Sequence, residues 1–399
     1  MTDPDVLADR LAARLAAQGE LNDPVWRRAL HAVPRHLFAP PVAWVNPDGP
    51  ADGYPVNRAT GEDRWWSAVY SDASLITQMN DGAGDVTTGE GLASSSCSAP
   101  GVVCVFLEEL RLEDHDRVLE VGTGTGWTAG LLSWRVGDVN VTSVEIDQGL
   151  SEQAAKNLAA AGFEPRLVVG DGAVGCTEAA PFDRVHVACA VADIPYSWVQ
   201  QTRPGGIIVL PWSPGYGYGW QTRLHVMPDG SAVGGFPGRA GYMFMRAQRP
   251  VLGAAFDFVH GTPDETVTRL DPRRLVADSD AADLAVAAQV PGVQTRLYFD
   301  EDGDTGEATF WVLERETKRG SWASVDYVPG QAEFVVEQYG DRRLWDEVEA
   351  AYWRWNGWGR PERDRFGLTV SPDGQAVWLD SPSNVLARVA PGVVPGPGR

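Results

Sequence analysis

A nine-residue run, VLEVGTGTG from Val118 to Gly126, dictates more about the fold than any other part of this 399-residue chain. It reads as a short buried strand ending at Val121, after which Gly122, Gly124 and Gly126 turn the chain into a helix. Glycine allows such a tight turn and lets a ligand approach the backbone closely. A strand of this kind needs neighbours, and the sequence supplies them. Short apolar runs at 117–121, 141–146, 166–169, 184–188 and 206–211 alternate with helical candidates at 126–135, 150–162 and 195–203, and another helix reads over 102–110. Nearly continuous apolar strands separated by helices predict an α/β fold, a Rossmann-like parallel sheet with helices on both faces.

Three acids stand where this turn would hold a ligand. Glu145 ends the next strand (VTSVEID), about 20 residues past the first glycine, where a carboxylate accepts hydrogen bonds from ribose hydroxyls. Glu120 precedes the turn, and a negative group there would repel a pyrophosphate but suits a cationic sulfonium or ammonium ligand. Asp171 (VVGDG) ends a further strand and could accept from an adenine amine or cap a helix. The spacing is GxGxG, not the GxGxxG of dinucleotide binders, and a strand–helix turn without any ligand is the plain alternative.

Taken in order, VPRHLFAP (33–40), YSD (70–72), SAP (98–100), VLEVGTGTG, VEID (144–147), GDG (170–172), APFDRVHV (180–187), IP (194–195) and RPGGIIVLP (203–211) resemble the protein-L-isoaspartate O-methyltransferases over roughly residues 20–247. The resemblance implies S-adenosylmethionine as cofactor, with Glu120, Gly122, Thr123, Gly124, Thr125, Gly126, Glu145, Ile146, Asp171 and Gly172 at cofactor-binding positions. It places Ser98 at the catalytic position, with Tyr70, Asp72, Ser96 and Pro100 on the substrate side. The chain is longer than the compact repair enzymes between His36 and Tyr70, again between Asp72 and Ser98, and by a C-terminal domain of about 150 residues. This layout, with YWRWNGWGRP and RFGLTVSPDGQAVWLD near the end, resembles actinobacterial relatives encoded beside ribosomally made peptides (lanthipeptides and graspetides). Those relatives esterify an aspartate side chain in a modified precursor peptide, and the ester then closes to a succinimide that can open to isoaspartate. Isoaspartate repair in damaged proteins, and a non-catalytic cofactor-binding peptide chaperone, are the alternatives.

The chemistry asks little of the side chains. A carboxylate is already ionised at pH 7, so it can attack a methyl carbon without a general base. Orientation and desolvation are what remain to be supplied, and Ser98 can fix one carboxylate oxygen with a hydrogen bond. Nucleic acid fits poorly as a partner: 33 basic against 54 acidic residues leave a net charge of −21, which repels a phosphate backbone and an anionic membrane surface alike. The four cysteines show no CxxC pair and no metal-ligand spacing, so reduced thiols, no metal and a cytoplasmic location are expected. No apolar stretch of about 18 residues or more is present.

The expected organisation has four parts. Residues 1–100 hold two N-terminal helices, the second opened by Pro24, then substrate-side loops with irregular stretches at 39–66 and 79–96. The cofactor-binding domain spans 101–250. A separate α+β domain for peptide recognition spans 251–390, closed by a hairpin around Asp373–Gly374, and a disordered tail follows over 391–399. His36 reads as a structural link or a substrate contact, and His186 as core. Trp353, Trp355 and Trp358 read as core or as an aromatic face gripping a peptide.

Overall fold

The computed structural model describes residues 3–47, 51–300 and 305–390; the tail expected over 391–399 lies outside them. Its centre is a ten-stranded sheet. Five strands are parallel and lie in the order Thr202–Trp212, Phe182–Val187, Val118–Val121, Val141–Glu145, Arg166–Val169. These are the apolar runs expected from the sequence. The helices Trp127–Val136 and Gln148–Ala160 connect them, and Pro100–Leu110 packs on the sheet. Side chains alternate across the sheet with the two-residue period of a strand. Val118, Ile207 and Val209 enter one core with the N-terminal helices Pro4–Gln18 and Pro24–Ala32. Leu119, Ile208 and Leu210 enter the other.

Beyond Thr202–Trp212 the sheet turns antiparallel through Trp220–Val226 and Ala232–Arg239, then Phe366–Ser371, Gly374–Leu379 and Val385–Val389. Here the structure departs from the expected division at 251. The hairpin around Gly374 exists, but its first strand pairs with Ala232–Arg239, so residues 366–389 belong to the central sheet. What lies between is a five-stranded antiparallel sheet, ordered Asp264–Thr268, Phe334–Tyr339, Trp322–Tyr327, Ala308–Glu314, Val293–Phe299. Helices Asp280–Gln289 and Leu344–Gly357 pack together beside it. Leu284, Val286, Val312, Trp345 and Trp355 share one continuous core with Leu119 and Ile208 of the central sheet. The C-terminal part thus shares its main core with the central sheet, and Ala255, Phe258, Trp311, Leu313 and Trp322 form a smaller cluster of their own. Trp355 is buried while Trp353 is half exposed, so the tryptophan group is split between core and surface.

Parts of the stretches expected to be irregular form regular elements. Tyr54–Asn57, Val42–Pro47, Ala73–Met79 and Ala93–Cys97 form a four-stranded antiparallel sheet, and Glu62–Val69 is a helix. Among the described residues no helix is long and apolar enough to cross a membrane.

Candidate active site

The glycine turn opens onto a cavity of about 610 Å³, within the usual range for small-molecule sites. Gly122, Thr123, Gly124 and Thr125 form one wall, Glu145 and Ile146 another, and Asp171 and Gly172 a third. Ser96 and Ser98 also line it, as do Tyr242–Arg246 of the segment after Ala232–Arg239, and the Ser96 carbonyl lies close against Gly124 of the turn. Gly122 and Gly124 hold φ of 94° and 54°, so the turn requires residues without a Cβ. A Cβ on Gly172 would meet Val121 Cγ1 at 2.5 Å, which keeps backbone exposed at that wall.

Glu145 is the organiser. Its Oε2 accepts from Gly124 N at 2.9 Å and its Oε1 from Asp147 N at 3.1 Å, which locks the turn to the end of the neighbouring strand. Asp171 acts as a helix cap, its Oδ1 accepting from Ala173 N at 2.9 Å at the start of the short helix Gly172–Val174, and the residue lines the cavity.

Glu120 departs from its expected role. It is 0% exposed, is absent from the cavity wall, and lies behind the turn. Ser143 Oγ donates to its Oε2 at 2.5 Å, and Thr123 Oγ1 lies 2.6 Å from the same serine. Burial, aided by the charge of Glu145, pushes its carboxyl up to about 8, which favours the neutral form at pH 7. His186, 4.0 Å away, is pushed down to about 4 by burial and is neutral as well. The two are buried polar neighbours, not an ion pair. A strand's period of two explains the misassignment: Glu120 sits on the face of the strand that turns away from the ligand. Gly126 also stays out of the wall; a Cβ there would crowd Leu158 Cγ at 3.2 Å and Ala154 Cβ at 3.3 Å, so it serves helix packing.

On the substrate side, Ser96 and Ser98 line the cavity, whereas Tyr70, Asp72 and Pro100 do not. Asp72 Oδ1 accepts from Gly101 N at 2.8 Å and caps the helix that Pro100 opens. Tyr70 Oη lies 2.7 Å from His36 Nδ1, and burial raises its hydroxyl while lowering the His36 imidazole. His36 therefore ties VPRHLF to Tyr70, its structural reading.

Two features were not read from the sequence. Arg35, 1% exposed, donates to five backbone carbonyls: Val69, Ser71, Ala73, Cys97 and Ser98, at 2.8–3.3 Å. It pins the segment carrying Ser98, whose hydroxyl makes no hydrogen bond among the described residues and is free for a ligand. The VPR tripeptide was the available signal. At the cavity mouth, Asp81 accepts from both Nη atoms of Arg249 at 2.8 and 2.9 Å and faces Arg246 Nε at 3.1 Å. Arg246 Nη2 also donates to Asp147 at 2.9 Å. This ionic clasp joins the loop after Ala73–Met79 to the segment 246–249, and the Arg249 hydrogen bonds hold the Asp81 carboxyl below its ordinary range. No sequence spacing announces it, because its members lie 168 and 99 residues apart.

A strand-end acid, an acid beyond it, exposed glycine backbone and a cavity of this size fit S-adenosylmethionine. Fold and site define a Rossmann-like S-adenosylmethionine-dependent methyltransferase. Comparisons narrow this further. The sequence profile of the family "Protein-L-isoaspartate(D-aspartate) O-methyltransferase (PCMT)" matches residues 56–223. The protein-L-isoaspartate O-methyltransferase of Thermococcus onnurineus is 32% identical over 235 residues, 58% of this chain and 89% of that one. Protein-L-isoaspartate O-methyltransferase 2 of Archaeoglobus fulgidus is 32% identical over 211 residues, 52% and 80% of the two chains. A solved structure titled protein-L-isoaspartate O-methyltransferase superposes with a TM-score of 0.52 at 20% identity, covering 94% of this chain and all of the other. The chain belongs to the protein-L-isoaspartate O-methyltransferase family, and is an S-adenosylmethionine-dependent carboxyl O-methyltransferase.

Proposed function

We propose that this enzyme esterifies the carboxylate of an aspartate side chain in a ribosomally synthesised, modified peptide. The observation that carries the reaction is the convergence of Ser98, Glu145 and Asp171 on one cavity beside the glycine turn. S-adenosylmethionine, when bound, supplies an electrophilic methyl group. The chain's own residues bind and orient. Glu145 and Asp171 hold the cofactor's ribose and adenine, and Gly122, Gly124 and Gly172 let it lie against backbone. The Ser98 hydroxyl donates to one oxygen of the substrate carboxylate and leaves the other to react. The carboxylate is ionised at neutral pH, so no residue need take a proton.

The peptide substrate is supported by the extra segments around the cavity. Asn46 of the first stretch and Ala93 and Ser94 of the second line it, and the clasp through Asp81 holds the second over its mouth. Isoaspartate repair remains the second reading, favoured by the names of the relatives. The likeness of fold over 94% of the chain also means that the C-terminal extension alone does not mark the peptide-tailoring subgroup. Steady-state kinetics on an isoaspartyl peptide, its aspartyl twin and a precursor peptide encoded beside this gene separate the two readings. Methylation of the precursor with little turnover of the isoaspartyl peptide is the expected result. A strong preference for the isoaspartyl peptide overturns it in favour of repair.

A further inference from the structure

A second cavity, of about 240 Å³, shares two segments with the first. Ala188 and Cys189 line the cofactor cavity, and Ala192 and Asp193 line this one. Arg246 and Arg249 wall the first, while Gln248 between them accepts through Oε1 from Ala192 N at 2.8 Å and Asp193 N at 3.0 Å. Trp212 and Pro214 at the end of Thr202–Trp212 add to the wall, and the rest comes from the C-terminal part, chiefly Ala287, Ala288, Arg315, Glu316, Val377 and Val389. The cavity therefore exists because the C-terminal part is fused to the catalytic sheet.

Its chemistry is lopsided. Most of the wall is aliphatic. The Asp193 carboxylate accepts no hydrogen bond and makes no close ion pair among the described residues; burial raises its carboxyl, while the nearby Arg315 charge only partly offsets this. Glu316 adds a second negative charge at the rim. Arg315, 6% exposed, is the one cation in the wall, and its guanidinium is already engaged by the carbonyls of Gln248 and Ser213 and packed over the Phe244 ring. An aliphatic slot ending at an unpaired carboxylate is complementary to a lysine or arginine side chain, whose methylene stem packs while its charged head finds the acid. Asp193 lies four residues from Cys189 of the cofactor cavity's wall, so the walls of the two cavities approach within about 14 Å, a reach of about four extended residues or fewer.

We propose that this cavity is a specificity subsite that takes a lysine or arginine side chain of the substrate, about four residues from the carboxylate that is methylated. The inference rests on the peptide-substrate reading above and adds to it a required basic residue. The test uses the full-length protein and a set of peptides with one methyl-accepting residue, in which a single lysine is moved through positions two to six on either side. A matching set carries norleucine, which keeps the stem and removes the charge. Binding is read by fluorescence anisotropy and turnover by methyl incorporation. The expected result is about tenfold tighter binding for lysine at one position near four, appearing in KM and not in kcat. Asp193→Asn should reduce that preference to about twofold while leaving turnover of the norleucine peptide unchanged. Ala387→Phe, which fills the slot, should abolish it as well. Equal affinity for lysine and norleucine at every position, or a preference that survives Asp193→Asn, overturns the subsite. A lysine preference in binding without methyl transfer to any peptide leaves the subsite standing and overturns the proposed reaction on peptides instead.

Discussion

Replacing Arg35 by lysine is a severe test of how Ser98 is held. The substitution keeps the positive charge and most of the buried volume. Lysine offers three donors on a single nitrogen, whereas the guanidinium reaches five carbonyls on two separate segments, 69–73 and 97–98. At least two of the carbonyls of Val69, Ser71, Ala73, Cys97 and Ser98 lose their donor in a buried setting. Each buried acceptor left unpaired costs about 1–3 kcal/mol, so Arg35→Lys should destabilise by about 2–5 kcal/mol. For a chain of this size that corresponds to a fall in Tm of about 2–6 °C. Ser98 loses one of the bonds that fix its backbone, so kcat should fall, while affinity for S-adenosylhomocysteine, proposed to rest mainly on Glu145, Asp171 and the glycine backbone, should change less. Urea unfolding followed by tryptophan fluorescence gives the first quantity, and calorimetry with initial rates gives the others. A variant within about 0.5 kcal/mol of wild type, with unchanged kcat, would show that the five-fold contact carries no weight.

Three further outcomes follow from the same geometry. Glu145→Ala removes the acceptor for Gly124 N and Asp147 N and should weaken S-adenosylhomocysteine binding about 10- to 100-fold, while Ser98→Ala lowers turnover at nearly unchanged affinity; equal loss of affinity in both refutes the division of roles. Glu120 has a folded pKa raised to about 8, so its contribution to stability is complete below the ordinary carboxylate range and is lost as pH rises through about 8. Glu120→Gln, which mimics the neutral form, should fold and should flatten that decline between pH 5 and 8, and a variant as pH-dependent as wild type in thermal melts counts against a protonated Glu120. Arg249→Ala opens the clasp on Asp81 and should speed cofactor release several-fold in stopped-flow displacement; wild type should show the same trend as salt is raised, and indifference to both removes the clasp from the cavity's closure.

The parallel strands and the cofactor turn were legible because buried strands announce themselves as apolar runs and a turn with positive φ demands glycine. Glu145 and Asp171 were legible for a related reason: the end of a parallel strand is where ligands sit. Glu120 was misplaced because a four-residue strand buried on both faces gives no alternation from which to read which way one residue points. The sheet formed by Ala93–Cys97 was hidden because ASSSC contains no β-branched or aromatic residue, so pairing with Ala73–Met79, not propensity, makes it a strand. The final hairpin was read as strands, yet its place in the catalytic sheet depends on pairing with Ala232–Arg239, a contact to which no local signal corresponds. Arg35, Arg246 and Arg249 were silent for the same reason, since each acts on segments distant in sequence.

The strands Phe366–Val389 have a consequence for how this enzyme comes into being. During translation, the glycine turn and its acids emerge early, but Ala232–Arg239 stays an uncovered sheet margin until the whole intervening C-terminal sheet has been made. Bare margins invite pairing with other nascent chains. Maturation therefore cannot proceed from front to back: the catalytic half waits on the last strands to seal it, and any nick or stop codon in the intervening chain disables a methyl-transfer site it never touches.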